Sequence, residues 1–208
     1  MKGRNPLDRL ELILASGSPR RRQLLEMLSL PFQVIVTDAD EEIRPSWAPG
    51  RAVEELAERK LAVALSRIDV PNTIAIAADT VVVADGTILG KPKDENEAYD
   101  MLQRLRGTSH EVFTGVAVYN MQNGKSRTFH EVTRVWMYEK DEDWLRWYIA
   151  TGEPMDKAGS YAIQGVGSLL VERIEGDYFN VVGLPIGRLA LTLEELGAPL
   201  QSLLNDEG

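Results

Sequence analysis

Residues 10–25 read LELILASGSPRRRQLL, an apolar run followed by a Ser/Gly break and three consecutive arginines. Ser18 is a favourable N-cap and Pro19 a favourable first helical residue, so the break predicts the start of a helix. Cations at that position oppose the helix dipole, and a bound anion would remove the conflict. The stretch therefore predicts a phosphate-binding turn, and the alternative is a solvated basic patch. The arginines are Arg20, Arg21 and Arg22.

The composition limits the class of protein and its partners. With 208 residues, of which 44% are hydrophobic, the chain is long enough for one globular domain over residues 1–208, built from two lobes. The net charge of −9 argues against nucleic acid or an anionic membrane as a partner. A polyanionic ligand must therefore be bound by a local basic cluster.

The sequence also gives expectations about location. It contains no cysteine, which excludes disulfides, thiolate nucleophiles and cysteine-ligated metals and agrees with a reducing compartment. No segment approaches the roughly 20 apolar residues of a membrane span, and residues 1–8 lack the hydrophobic region of a signal peptide. These features predict a cytoplasmic protein.

Predicted strands and helices alternate along the chain. Strands are predicted over residues 10–15, 32–36, 73–83, 87–89, 112–119, 126–138 and 169–174. Helices are predicted over residues 19–28, 53–68, 94–105, 143–150 and 185–196. The pattern is typical of an α/β protein with a mixed central sheet flanked by helices. We expect two lobes, one around the first β-α-β unit and one around the 112–138 hairpin, with a cleft between them.

One carboxylate interrupts a strand that otherwise looks buried. Strand alternation in TIAIAADTVVV, residues 73–83, places Asp79 on the same face as Ala75 and Ala77. A buried carboxylate is costly unless it is paired with a cation or metal or serves in proton transfer. Asp79 is therefore a candidate catalytic residue, and the alternative is an aspartate that caps a turn at a bulge.

Three further residues could act with Asp79. Lys60 lies at the margin of an apolar helical stripe, so its ammonium is expected to point inward unless it extends to solvent. Lys91, between a glycine and a proline, follows the hairpin that begins after Asp79 and could return to the same cleft. Glu41 belongs to an acidic run that could supply a metal ligand or a proton acceptor, or could simply be solvated.

Together these residues indicate metal-assisted hydrolysis of a phosphoanhydride. Arginine and lysine would bind phosphate oxygens, while Asp79 and Glu41 would bind Mg²⁺ or Mn²⁺ and a water. The chain has no Walker A motif, no G-x-S-x-G, no G-x-G-x-x-G and no H-E-x-x-H, so zinc proteolysis and serine hydrolysis are unsupported. The two histidines are expected to be packed or hydrogen-bonded residues.

Six motifs in order resemble the Maf family of nucleotide pyrophosphatases, once described as septum-formation inhibitors. The resemblance extends from Leu12 to about Leu196. The motifs are ASGSPRR at 15–21, ADT at 78–80, GKP at 90–92, GTSHEVFTG at 107–115, DKAGSYAIQG at 156–165 and VGLP at 182–185.

The resemblance implies a fold similar to inosine-triphosphate pyrophosphatases, often dimeric. It implies an enzyme that converts a nucleoside triphosphate to the monophosphate and pyrophosphate with a divalent metal, Mg²⁺, Mn²⁺ or Co²⁺. Asp79 would be the general base, and the phosphate and metal site would include Ser18, Arg21, Glu41, Lys60 and Lys91. Ser16 and Lys157, which lie within two of the motifs, join the expected substrate site. The acidic metal ligand could instead be Asp40 or Glu42, because the spacing after Asp38 varies among relatives.

Three positions separate the branches of this family: Arg20, Thr80 and Gln164. This combination resembles the branch that acts on dTTP and UTP, and the branch that prefers 7-methyl-GTP carries other residues. The Gln164 amide offers one donor and one acceptor, which complement a carbonyl and an N–H on the edge of thymine or uracil. The alternative is a glutamine that only orders the Gly-rich loop.

Two other functions remain open from the sequence. The first is a non-catalytic nucleotide sensor that regulates cell division or septum formation. The second is a phosphatase or sugar-phosphate enzyme, which would release orthophosphate from the same anion site.

Overall fold

The structure is a computed structural model and describes residues 10–203. The first nine and last five residues of the expected domain lie outside the described residues. So do residues 1–8, on which the expectation about a signal peptide rests.

Seven strands form one mixed sheet. The hydrogen-bonded order is β2-β1-β3-β5-β6-β7, and β4 pairs with β3. Strand β1 is parallel to both β2 and β3, whereas the β3–β4 and β6–β7 pairs are antiparallel. The predicted mixed α/β class is confirmed. The strands are β1 Glu11–Ala15, β2 Phe32–Val34, β3 Thr73–Ala84, β4 Thr87–Leu89, β5 Ser109–Asn120, β6 Lys125–Met137 and β7 Val171–Glu175.

Seven α-helices and three short 3₁₀ helices complete the described part of the chain. Within residues 10–203, no helix has both the length and the apolar character needed to cross a bilayer. The α-helices are α1 Pro19–Met27, α2 Pro49–Leu65, α3 Glu95–Leu105, α4 Glu142–Ala150, α5 Tyr178–Val182, α6 Ile186–Glu195 and α7 Leu200–Leu203. The 3₁₀ helices are Glu153–Asp156, Ala158–Ser160 and Gly165–Leu170.

The largest differences from the predicted boundaries lie at proline and glycine residues. Helix α2 begins at Pro49, four residues before the predicted start, because proline suits the first helical turn, where its missing N–H costs nothing. Residues 165–170, predicted as a Gly-rich loop running into a strand, form a 3₁₀ helix, so β7 begins only at Val171. The short helices α5 and α7 were not predicted.

The chain divides into two compact units. The first contains the residues up to Asp79, Gly115–His130 and the residues from Gly183 onward. The second contains Thr80–Thr114 and Glu131–Val182. The predicted cleft between two lobes stays a prediction.

In the first unit, helix α2 packs on β1 and β3 through small side chains. The alternation of β3 turns Ala75 and Ala77 toward one core, and the helical period brings Ala57, Leu61 and Ala64 onto the same core. Because the facing residues are mostly alanines, the helix can approach the sheet closely.

Gly115 permits the closest approach in this unit. A Cβ at this position would overlap the backbone carbonyl group of Val53 in α2. Gly115→Ala must therefore move the helix or the strand, and we expect the free energy of unfolding to fall by about 3 kcal/mol or more. Urea unfolding followed by circular dichroism measures this loss.

Gly187 provides the matched control. It lies in α6 of the same unit, and an added Cβ would meet nothing within 4 Å. Gly187→Ala should be neutral or stabilise by up to about 1 kcal/mol, since alanine has a higher helix propensity than glycine. Equal losses in the two variants would contradict the close approach at Gly115.

The second unit has its own core, formed by α3 and α4 against β3, β5 and β6. His110 on β5 is buried in this unit, and its Nε2 lies 2.7 Å from the Tyr161 hydroxyl. The expectation that this histidine is a packed, hydrogen-bonding residue is confirmed. Burial lowers the pKa of His110 to about 4, from an ordinary value of 6.5.

This shift predicts a loss of stability in acid. Between pH 6.5 and about 4 the unfolded chain protonates this histidine while the folded chain keeps it neutral, so unfolding is favoured as the pH falls. From pH 6.5 to 4.5 the contribution is about 2 kcal/mol. Urea unfolding of wild type and His110→Gln at both pH values measures it, because the variant keeps a hydrogen-bonding group and loses only this titration. Parallel pH profiles would contradict the prediction.

Candidate functional site

The candidate site of the first unit lies at the carboxyl ends of β1 and β2, beside the middle of β3. Ala15 ends β1 opposite Ala77 of β3, so Ser16 follows at the level of Ala78, next to Asp79. Strand β2 runs parallel to β1, and the acidic loop that follows it starts at the same edge. Because β3 continues to Ala84, beyond the ends of β1 and β2, the loops after these two strands lie beside the middle of β3.

The start of α1 is built as the sequence predicts. The Ser18 side chain caps the helix by accepting from the Arg21 backbone N–H at 3.5 Å, and the Ser16 hydroxyl accepts from the Ser18 N–H at 3.2 Å. No acidic residue occupies the first turn of this helix. The turn thus presents hydroxyl groups and the positive end of the helix without a fixed anion of its own.

The three arginines have different surroundings. Arg21 is buried, where its Nε donates to the Gly183 carbonyl at 2.7 Å and its Nη1 to the Ser16 hydroxyl at 3.3 Å. Arg22 is exposed and pairs with Glu26 one turn later, so it is a solvated residue. Arg20 is half-buried.

Arg21 interacts electrostatically with two candidate acids, Asp79 and Glu41. Burial lowers the pKa of the Arg21 guanidinium, and the negative charge of Asp79 opposes that effect more strongly than Glu41 does. An arginine stays protonated even so, because its ordinary pKa is far above neutral pH. Arg21 is thus a permanent cation that interacts electrostatically with both carboxylates.

Lys60 joins two carboxylates. Its Nζ forms ion pairs with Asp79 Oδ1 and with Glu41 Oε1, the latter at 2.7 Å. The side chains of Lys60 and Asp79 are only 11% and 14% exposed, whereas that of Glu41 is 57% exposed. The ammonium therefore points inward, and Asp79 has the cationic partner that its burial requires.

Two arginines of the first unit fix the acidic loop around Glu41. Arg59 Nη1 donates to the Glu42 carbonyl at 2.9 Å and lies 3.2 and 3.3 Å from the carbonyl and carboxylate of Asp40. Arg67 pairs with Asp38, whose pKa is lowered by a hydrogen bond from its own backbone and by Arg67. Of the three acids left open by the sequence, only the Glu41 carboxylate contacts Lys60 in the described residues.

The two carboxylates on Lys60 fit a hard divalent cation. Mg²⁺ typically uses one or two carboxylates and takes its remaining ligands from water and substrate phosphates. Among residues 10–203, no three histidine, aspartate or glutamate side chains are grouped to hold a metal alone. Glu41 and Asp79 are thus candidate ligands for such a cation.

Four predicted residues belong to the second unit, and Thr80 is the best fixed of them. Its Oγ1 lies 2.9 Å from the Thr114 hydroxyl, which donates to the Asn180 carbonyl, also at 2.9 Å. Since the Thr114 proton is used there, Thr80 donates to Thr114. The direction of the Thr80 hydroxyl is thereby set.

Lys91 and Lys157 differ in exposure. Lys91 is exposed after β4, and the carbonyl of the preceding Gly90 accepts from the Gly159 N–H at 3.0 Å. Lys157 is mostly buried, with its Nζ 2.6 Å from both the Glu153 carbonyl and the Asp156 carboxylate.

Gln164 is half-buried and occupies the N-cap position of the 3₁₀ helix Gly165–Leu170. Its side chain makes no capping hydrogen bond.

The structure brings six predicted residues together in the first unit, which also contains Arg20. They are Ser16, Ser18, Arg21, Glu41, Lys60 and Asp79.

The family of the chain follows from comparison with known proteins. Residues 11–196 match the family model described as "Maf-like protein". The chain belongs to the Maf family.

Curated Maf relatives cover most of this chain. A dTTP/UTP pyrophosphatase of Caldanaerobacter subterraneus subsp. tengcongensis is 50% identical over 180 residues, which are 86% of each chain. A dTTP/UTP pyrophosphatase of a Geobacillus species is 51% identical over 187 residues, or 90% of this chain and 98% of the relative.

Solved structures give weaker likenesses. The Staphylococcus aureus Ham1 protein matches with a TM-score of 0.45 and 14% identity, covering 76% of this chain and 77% of that one. A nucleoside-triphosphatase / dITP/XTP pyrophosphatase from Mycobacterium abscessus matches with a TM-score of 0.40 and 13% identity, covering 94% and 99%. Structural similarity at this level supports no conclusion about the site.

The sequence does not predict several contacts of this Maf chain. Arg59 holds the loop of Glu41, and Thr114 orients Thr80. The Gly183 carbonyl, within the VGLP motif, orients Arg21. In the sequence, Arg59 stands next to Lys60 in a predicted helix, and Gly183 belongs to the VGLP motif. Neither position indicates which residue it contacts.

Proposed function

We propose that this Maf chain is a nucleoside triphosphate pyrophosphatase that hydrolyses dTTP and UTP to the monophosphate and pyrophosphate. The observation that carries the proposal is the ion pair of Lys60 with the mostly buried Asp79, in the middle of β3, together with the phosphate-type helix start that follows β1. The names of the curated relatives, half identical over most of their length, support the same reaction and the same substrates.

Asp79 acts as the general base in this proposal. It orients a water and takes its proton while the water oxygen attacks the α-phosphorus. The bond from the α-phosphorus to the bridging oxygen breaks, and pyrophosphate leaves with that oxygen. Asp79 suits the role because its mostly buried carboxylate is held in place by Lys60 and interacts electrostatically with Arg21.

The triphosphate is bound by the cations and the helix start. Ser16, Ser18 and the first turn of α1 offer hydroxyl and N–H donors, while Arg20 and Arg21 offer guanidinium groups. Lys60, Lys91 and Lys157 supply ammonium groups to the same polyphosphate. The developing negative charge on the leaving pyrophosphate thus meets preorganised positive charge.

Glu41 and Asp79 hold the divalent metal in this proposal. When bound, Mg²⁺, Mn²⁺ or Co²⁺ supplies neutralisation of phosphate charge. Lys60, which pairs with both carboxylates, keeps them close to one another before the nucleotide arrives. Arg59 keeps the Glu41 loop in place.

A product-resolved assay tests the function. Wild type is incubated with each of dTTP, UTP, dCTP, dGTP and 7-methyl-GTP, with Mg²⁺, Mn²⁺ or Co²⁺, and the products are separated by ion exchange. We expect pyrophosphate and monophosphate, fastest from dTTP and UTP. Release of orthophosphate would indicate a phosphatase, and tight binding of dTTP without turnover would indicate a nucleotide sensor.

Gln164, Arg20 and Thr80 select the substrate in this proposal. Gln164→Glu replaces the amide donor with a second acceptor, which would face a base carbonyl without a hydrogen bond. We expect kcat/KM for dTTP and UTP to fall about 100-fold, and values for purine triphosphates to change only a few-fold. Equal losses on all nucleotides would reject the base-reading role of Gln164.

Two further parts of the proposal concern the context of the enzyme. The family resemblance implies a homodimer, and the cysteine-free composition agrees with the cytoplasm. Analytical ultracentrifugation tests the first, and fractionation of cells tests the second.

A further inference from the structure

The carboxylate of Glu153 binds the backbone that follows Gln164. Its Oε2 accepts from the Val166 N–H at 3.1 Å, and its Oε1 accepts from the Gly167 N–H at 2.9 Å. Glu153 lies in the 3₁₀ helix Glu153–Asp156, and both amides lie in the 3₁₀ helix Gly165–Leu170. All of these residues belong to the second unit. One carboxylate therefore holds the start of a separate helix.

This arrangement replaces the usual capping of a helix. The side chain at an N-cap position normally accepts from the N–H groups two or three residues later. Gln164 occupies that position and makes no such bond, while Glu153 accepts from those two amides. The Gln164 amide is therefore not used to cap its own helix.

A buried tyrosine fixes the carboxylate. Tyr148 on α4 is fully buried, and its hydroxyl donates to Glu153 Oε1 at 2.9 Å. Burial and the nearby Glu153 raise the pKa of Tyr148, so it remains a donor. Three donors thus converge on the two oxygens of the Glu153 side chain and fix its orientation.

The glycine before the two amides allows the close approach. Gly165 has a φ of +67°, a left-handed conformation that side chains rarely adopt. A Cβ there would lie 2.7 Å from Glu153 Oε2. The Gly-rich motif thus fits against this carboxylate, directly after Gln164.

We propose that Glu153 is the positioning residue for nucleobase recognition: its carboxylate fixes the backbone after Gln164 and leaves the Gln164 amide for the pyrimidine edge. The inference rests on the proposed function, in which Gln164 reads the base. Glu153 itself does not touch the nucleotide in this account.

Glu153→Gln tests the inference through substrate preference. The glutamine has nearly the same shape, but its NH₂ group cannot accept from a backbone N–H, so one of the two amides loses its partner. We expect KM for dTTP to rise about tenfold, kcat to change less than threefold and the kinetics with dGTP to stay the same. A structural defect alone would lower activity on both nucleotides together.

Two variants sharpen the result. Glu172→Gln makes the same change at an exposed position of β7 and should leave all kinetic constants unchanged. In the Glu153→Gln background, Gln164→Ala should cost much less than in wild type, because the amide is already misplaced. Additive effects of the two substitutions would overturn the inference.

A second readout does not depend on activity. Hydrogen exchange of whichever of the Val166 and Gly167 amides loses its acceptor should be at least tenfold faster in Glu153→Gln than in wild type. Unchanged exchange at both amides would overturn the inference.

The outcomes separate the inference from the proposed function. A wild-type preference for dTTP that survives Glu153→Gln would overturn the inference alone. A wild type without any such preference would overturn the proposed substrate class and this inference with it.

Discussion

Asp79→Asn should lower kcat for dTTP by about 10²- to 10⁴-fold while KM changes only a few-fold. The asparagine keeps the shape of the side chain and a carbonyl oxygen that can accept from Lys60, but it cannot take a proton from water. Binding of the triphosphate depends mainly on the arginines, the lysines and the start of α1, which the change leaves in place, and the asparagine oxygen can still bind the metal. Steady-state kinetics with pyrophosphate detection measures the effect.

Asp85→Asn is the matched control. Asp85 is exposed at the turn after the same strand, with a φ of +48° that asparagine readily adopts. The Asp85→Asn substitution removes the same charge as Asp79→Asn and should leave kcat within twofold of the wild-type value. If Asp79→Asn also retained near-normal turnover, Asp79 would not be the base.

Lys60→Met should show how much the two carboxylates depend on a shared cation. Removing one partner of a buried pair costs about 3–5 kcal/mol, and the exposure of Glu41 reduces this to about 2–3 kcal/mol here. For a chain of this size we expect Tm to fall by about 5–10 °C in the presence of a chelator.

A divalent cation should restore part of that loss. Millimolar Mg²⁺ or Mn²⁺ neutralises two carboxylates that no longer have their ammonium, so it should raise the Tm of Lys60→Met more than that of wild type. Thermal unfolding with and without the cation, after dialysis against EDTA, measures the difference. Lys125→Met, an exposed lysine of the same unit, should respond like wild type. Equal increments in all three proteins would argue against Glu41 and Asp79 as a cation site.

The sequence predicted the placement of Asp79 and an inward orientation of Lys60, but not their ion pair, from two simple periodicities. Alternation along β3 places Asp79 on the alanine face, and the 3.6-residue period of α2 places Lys60 beside Ala57 and Ala64, which pack on that same face. Each pattern is local and long enough to be reliable. The contact between the two elements then follows from the packing of alanines.

Contacts made by irregular segments could not be predicted in the same way. Which acid of the 38–42 loop reaches Lys60 depends on how Arg59 and Arg67 hold that loop. Arg21 and the Gly183 carbonyl are 162 residues apart in the chain. Glu153 reaches the amides of a helix that sequence patterns described only as a Gly-rich loop. Such partners are set by the fold as a whole, which local periodicity does not encode.

The glycine at position 115 has a consequence beyond packing. Its contact with the Val53 backbone determines the spacing between α2 and β5, and Lys60 lies seven residues further along α2, about two helical turns. Since a close-packed interior transmits a displacement instead of absorbing it, the reach of the ammonium depends on the absence of a methyl group some distance away. The position of a charged group in this protein thus depends partly on a glycine, which has no side-chain functional group of its own.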